Sequence, residues 1–224
     1  MTLAVTWLLV FVAAYFVVDR MFPETVDRFE QNFISGLLAA MVLISFVQVV
    51  ARYGFHTGWG GALEFTGILF AWLIMFGMGY AIKINTHLGV DAFIQLFPER
   101  AMRGFAVFGA VACMLYAVIL LYSNCLQVFG VDSRGGALDY WAKMYKVGIG
   151  LDDLTYPAWM QETFGLQDRV QRWLAYLALP AGLGLFAMRC AQALVAILTG
   201  HRHTMIAAHE AEDLVAENRD VLKD

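Results

Sequence analysis

The side chains of this 224-residue sequence that could do chemistry are few and scattered. A haem site inside a helical bundle needs histidines that face each other. The five here are His56, His87, His201, His203 and His209, and no two lie in neighbouring apolar runs. The His201-Arg202-His203 spacing would suit a metal ion, but beside the end of an apolar run it reads more simply as a headgroup anchor. His209-Glu210 opens like a zincin motif, yet Asp213 stands where HExxH requires the second histidine. Cys113, Cys125 and Cys190 are an odd number with no CxxC pair, which fits apolar packing better than a disulfide framework or a zinc site. No GxSxG elbow, P-loop or dinucleotide fingerprint occurs. The expectation is a protein that is not an enzyme and uses no cofactor or metal.

The elements that carry these residues are bilayer-length. Hydrophobic residues make up 60% of the chain and charged ones 15%, and the mean hydropathy is +0.63. A soluble domain carries about 25% charged residues, so the excess of apolar residues points to membrane helices. Uncharged runs cover residues 33–51, 65–82, 104–131 and 173–188, the last continuing past Arg189 to Gly200. About 20 helical residues cross a hydrocarbon core of about 30 Å. The fourth run spans if Arg189 sits near the headgroups and its side chain snorkels outward. A fifth run, 2–18, lacks a basic n-region and a small-x-small cleavage site, so it is not read as a signal peptide. Trp7, Phe11 and Tyr15 give it an aromatic face, which suits either a spanning or an interfacial helix. The expected fold is therefore an all-α integral membrane protein, a four-helix transmembrane core plus an extra N-terminal hydrophobic helix.

Three parts follow from this: an N-terminal helix (1–22), a four-span domain (23–200) and a tail (201–224). Residues 19–32 read as a polar linker into an amphipathic lead-in helix, and the glycine-rich stretch 52–64 as a tight hairpin. The one large extramembrane insert, 132–172, mixes aromatic residues with charges. Orientation follows the Lys/Arg count of the loops. Placing 19–32, 83–103 and the tail in the cytoplasm puts eight basic residues there against six outside. The insert and the tail are thereby expected to be periplasmic and cytoplasmic respectively. Polar groups inside the spans are limited to Gln48, Asn124 and the borderline Glu64, too few for a translocation pathway of the chain's own. Arg52 and Glu64 bracket the hairpin and are expected either to pair or to be solvated separately. Gly36, Ala39 and Ala40 on the first span and Gly77, Gly79 and Ala81 on the second would permit close helix approach. A net charge of −4 gives no reason to expect nucleic-acid binding.

One ordered set of residues resembles a known family. Arg52-Tyr53, Glu64, Trp72, Gly77, Tyr80-Ala81-Ile82-Lys83 and His87-Leu88-Gly89-Val90-Asp91 look like the signature of the DctQ-type small membrane subunit of TRAP (tripartite ATP-independent periplasmic) transporters. Arg28-Phe29-Glu30-Gln31-Asn32-Phe33 is similar to the segment before that family's first span. The tail Ala207-Ala208-His209-Glu210-Ala211-Glu212-Asp213 looks like its four-carbon dicarboxylate branch. The run 1–22 has no counterpart in the usual four-helix pattern. The resemblance implies a multi-pass protein of the bacterial inner membrane that braces a large transport subunit. Uptake of succinate, malate or fumarate would be driven by an ion gradient, in symport, with a periplasmic binding protein delivering the solute. It also implies interface roles for Arg52, Glu64, Trp72, Lys83, His87 and Asp91. Lys143 and Lys146, in the insert, are the candidates for docking the binding protein. The alternative is a membrane anchor for a redox or signalling complex.

Overall fold

The computed structural model describes residues 2–84, 98–123, 126, 130 and 135–199. His87, Asp91, Cys125 and the tail from residue 200 lie outside the described residues. The helices are α1 (Thr2–Met21), α2 (Pro23–Gly54), α3 (Ala62–Lys83), α4 (Glu99–Leu121), α5 (Ala137–Val147), α6 (Ala158–Phe164), α7 (Arg172–Tyr176) and α8 (Ala178–Leu198). Four stretches are long and apolar enough to cross a membrane: Pro23–Gly54, Ala62–Lys83, Ala101–Leu121 and Arg172–Leu198. These match the four runs read from sequence. The expected linker shrinks to Phe22 and the lead-in helix is continuous with the first span, because Pro23 accepts the first turn of α2.

The bundle is assembled around α8, which packs on α4, α3 and α1. Its N-terminal half, Ala178 to Ala187, is rich in Gly and Ala, and such residues let helix backbones approach closely in lipid. A Cβ added at Gly182 would stand 2.3 Å from Cβ of Met75 on α3, and one at Gly184 would stand 3.0 Å from Val12 and 3.1 Å from Leu8 on α1. Close approach was expected between α2 and α3, but Gly36 and Gly77 meet nothing within 4 Å. The α2–α3 seam is aromatic instead. Phe29, Phe33, Phe76 and Trp72 form a ladder with centroids 5.8, 5.0 and 5.5 Å apart. The buried core of α8 with α3 and α4 is Ile82, Ala110, Ala117, Phe186, Cys190, Ala193 and Ile197.

Contacts also fix the direction of α1. Val5 and Leu8 pack with Leu121, Leu138 and Leu183, at the end where α4 stops and α5 begins. Asp19 reaches Lys83, the last residue of α3. Hence α1 runs parallel to α8 along the height of the bundle, not across one end of it. The insert contains an element that helix periodicity does not announce. Strands β1 (Gly150–Thr155) and β2 (Arg169–Gln171) pair antiparallel around α6, with Gly150 opposite Gln171 and Thr155 opposite Arg169. Glycine is required at Gly136, where a Cβ would lie 2.3 Å from the Leu121 carbonyl oxygen.

Gly182→Leu should therefore separate α8 from α3, at a cost of about 1–3 kcal/mol from overpacking, while Gly36→Ala should be neutral. Thermal unfolding of both variants in detergent checks this; equal midpoints would contradict the α3–α8 crossing.

Candidate functional site

Two polar constructions hold the bundle, one at each end. The first is a buried ion network where α1 and α3 finish. Arg189 of α8 is 4% exposed. Its Nη1 donates to Asp19 Oδ2 at 2.7 Å and its Nη2 to Glu30 Oε1 at 2.8 Å, joining α8 to α1 and α2. Lys83 of α3 reaches Asp19 at 3.0 Å, Glu30 at 3.1 Å and also Asp27. The Tyr15 hydroxyl donates to Glu30, and the Arg189 guanidinium lies 5.8 Å from the Tyr15 ring centre. Gln192 accepts from Arg189 at 2.9 Å. Three carboxylates thus face two cations, and Gln31 ties α2 to Tyr80 of α3 at 2.8 Å beside them.

Residue spacing explains why these groups meet. Asp19 precedes the end of α1 by less than one turn, Lys83 closes α3, and Glu30 lies two turns into α2. The expectation that Arg189 snorkels to the headgroups is corrected. Its side chain turns inward, because two carboxylates from different helices offer it several charge-assisted bonds. The expectation of nearly charge-free spans is corrected with it. Asp19, Glu30 and Arg189 were passed over as linker and edge residues; the signal was an arginine interrupting an apolar run, which demands a partner.

The second construction pins the insert. Both oxygens of Glu64, in the first turn of α3, accept backbone N–H groups of β1: Asp152 at 3.1 Å, Asp153 at 2.9 Å and Leu154 at 2.8 Å. Arg172 pairs with Asp152 at 3.2 Å. Gly61 makes the approach possible, since a Cβ there would stand 2.9 Å from Leu154. The hairpin itself is closed by Gln48, which donates to the Trp59 carbonyl and accepts from its N–H, each at 3.0 Å.

The predicted residues thus separate. Glu64 and Lys83 belong to different constructions at opposite ends, and Trp72 lies in the α2–α3 ladder. Arg52 is not the partner of Glu64 and makes no ion pair among the described residues. Lys143 and Lys146 are exposed on α5. No group of three or more His, Cys, Asp or Glu side chains among the described residues is placed to hold a metal ion. The network gives every one of its charges an opposite partner and is structural, with no reacting atom in view.

Arg189→Met should cost about 3–5 kcal/mol, the range for removing one partner of a buried pair. Lys83→Met should cost less, since Lys83 is 17% exposed and Asp27 41%. Unfolding of each variant in detergent decides the order. Glu64→Gln should loosen the insert by about 1–3 kcal/mol, the cost of orphaned donors, and speed its proteolysis. Arg52→Ala should add to that effect without coupling, so a strongly non-additive double variant would restore the Arg52–Glu64 pair.

Comparison with known proteins places the whole bundle. The family model described as "Tripartite ATP-independent periplasmic transporters, DctQ component" matches residues 41–200. A Vibrio cholerae protein named C4-dicarboxylate TRAP transporter small permease protein DctQ is 30% identical over 196 residues, 84% of this chain and 78% of that protein. The protein of the same name from Pseudomonas aeruginosa is 30% identical over 213 residues, 83% of this chain and 90% of its own length. That from Rhodobacter capsulatus is 26% identical over 196 residues. With a model match over most of its length and two relatives 30% identical over 84% and 83% of it, this chain belongs to the DctQ family, the small membrane component of TRAP transporters.

Proposed function

We propose that the chain braces the large transport subunit of a C4-dicarboxylate TRAP transporter in the bacterial inner membrane, without moving solute or catalysing a reaction itself. One observation carries this reading. The strongly buried charged residues of the described spans, Glu30 and Arg189, are engaged with each other and with Asp19, so neither is left to bind a passing ion or substrate. Long apolar faces point outward on α1, α2 and α4, including Phe11, Phe46 and Phe108. A rigid, apolar-sided bundle suits support of a neighbour. The names of the Vibrio and Pseudomonas relatives favour four-carbon dicarboxylates as the solute.

In this reading the insert and the hairpin face the periplasm, and the ion network lies toward the cytoplasm. Lys143 and Lys146 then form part of the surface met by a solute-binding protein, since exposed charges guide encounter more than they add affinity. Gradient-driven uptake in proteoliposomes tests the assignment. The chain alone should transport nothing, and the large subunit should need it for uptake; dicarboxylate uptake by this chain alone would refute bracing. Charge reversal at Lys143 and Lys146 should raise the binding-protein concentration needed for half-maximal uptake without loosening the complex. An unchanged titration would remove the docking role.

A further inference from the structure

With Glu64 spent on β1, Arg52 is left without a counter-charge. It sits in the last turn of α2, exposed, with no hydrogen bond or ion pair among the described residues. A cavity of about 730 Å³ opens beside it, with His56, Thr57 and Leu63 on its walls. A second, apolar hollow of about 410 Å³ lies beside the first at the same level of α2, shares Ile44, Gln48 and Trp59 with it and adds Leu43 and Val47. From Arg52 to Leu43 the groove follows nine residues of helix, roughly 13 Å. Its polar groups are at the bundle end, and its apolar wall points toward the middle of the spans.

His56 adds a second irregularity at the same mouth. It is the one described non-glycine residue with positive φ, at 51°, a conformation that costs energy and that clusters at ligand sites. The first turn of α3 also borders the cavity through Ala62 and Leu63, bringing the positive end of that helix to an anion. The C-terminal end of α2 opposes this at the same level. The attraction must therefore come mainly from the Arg52 guanidinium, which can grip a phosphate through two parallel bonds.

We propose that this groove seats one phospholipid of the leaflet on the hairpin side. Its phosphodiester is held by Arg52, with the His56 ring and the Thr57 hydroxyl beside it, and one acyl chain lies along Leu43, Ile44 and Val47. A lipid is favoured over a soluble anion because only a molecule with an apolar tail fills the second hollow, whose α2 wall carries Leu43, Ile44 and Val47. The seat does not depend on the transport reading. It does explain why an arginine at this position can stand without a protein carboxylate.

The test uses the full chain purified in mild detergent. Native mass spectrometry should find one phospholipid retained per chain. Arg52→Ala should lower retention about tenfold, the ratio expected when a hydrogen bond to a charged group is lost. Val47→Trp, which blocks the second hollow with Arg52 intact, should lower it similarly, and Lys146→Ala should not. Added phosphatidylglycerol or phosphatidylethanolamine should raise the melting temperature of the unsubstituted chain, whereas glycerol 3-phosphate and succinate should not. If either soluble anion stabilises as strongly as lipid, the site is a free-anion site and the proposal fails. It fails equally if the unsubstituted chain retains no more lipid than Val47→Trp, because the bound lipid is then unspecific.

Discussion

A charge removed from water must find an opposite charge close by, and this single constraint organises one end of the molecule. Arg189 interrupts the most buried helix of the bundle. Left alone it would be prohibitively placed in an apolar medium. Its two carboxylate partners come from α1 and α2, and Lys83 of α3 shares both of them. Four helices are thereby brought to one point. Such a cluster adds little net stability over a well-packed apolar core. Its effect is on specificity: a helix slipped by one turn would bury an unpaired charge.

Between the two polar ends the packing has no direction of its own, and there shape takes over. Lipid tails are as apolar as leucine, so helices associate where backbones can come close or where rings interlock. The glycines of α8 provide the first kind of contact and the Phe29–Trp72 ladder the second. α8 is thus the axis of the bundle, and α2 an outer helix that packs on α3 along one face and leaves the other open. At the hairpin end the insert is held through its backbone N–H groups, which converge on one side-chain carboxylate. Glu64 gathers three successive N–H groups, so the shape of β1 matters there more than its sequence.

These features suit a supporting subunit. Charges that would be mobile in a transporter are locked against each other, and Gln48, the polar residue near the end of the first apolar run, closes a turn. What remains outward is apolar surface along the spans, and above them an insert whose position is set by a carboxylate at a helix start. A scaffold for a moving partner must itself have few alternative arrangements, and both polar constructions remove alternatives.

The sequence by itself determined the four spans, because a run of about 20 uncharged residues has few other uses. It also determined the family, because an ordered set of Arg-Tyr, Glu, Trp and Tyr-Ala-Ile-Lys is hard to meet by chance. It picked out Glu64, Trp72 and Lys83 without showing their partners. Arg52 and Glu64 bracket the same hairpin in sequence, yet the carboxylate chose backbone donors 88 to 90 residues away. Asp19 and Arg189 are 170 residues apart, and local periodicity carries no information about a pairing at that distance. Only the tertiary structure decided that the opening helix runs the height of the bundle, that the linker shrinks to Phe22, and that Arg189 faces inward. Each of these is settled by which helices become neighbours, since the energy of a buried charge depends on what stands opposite it.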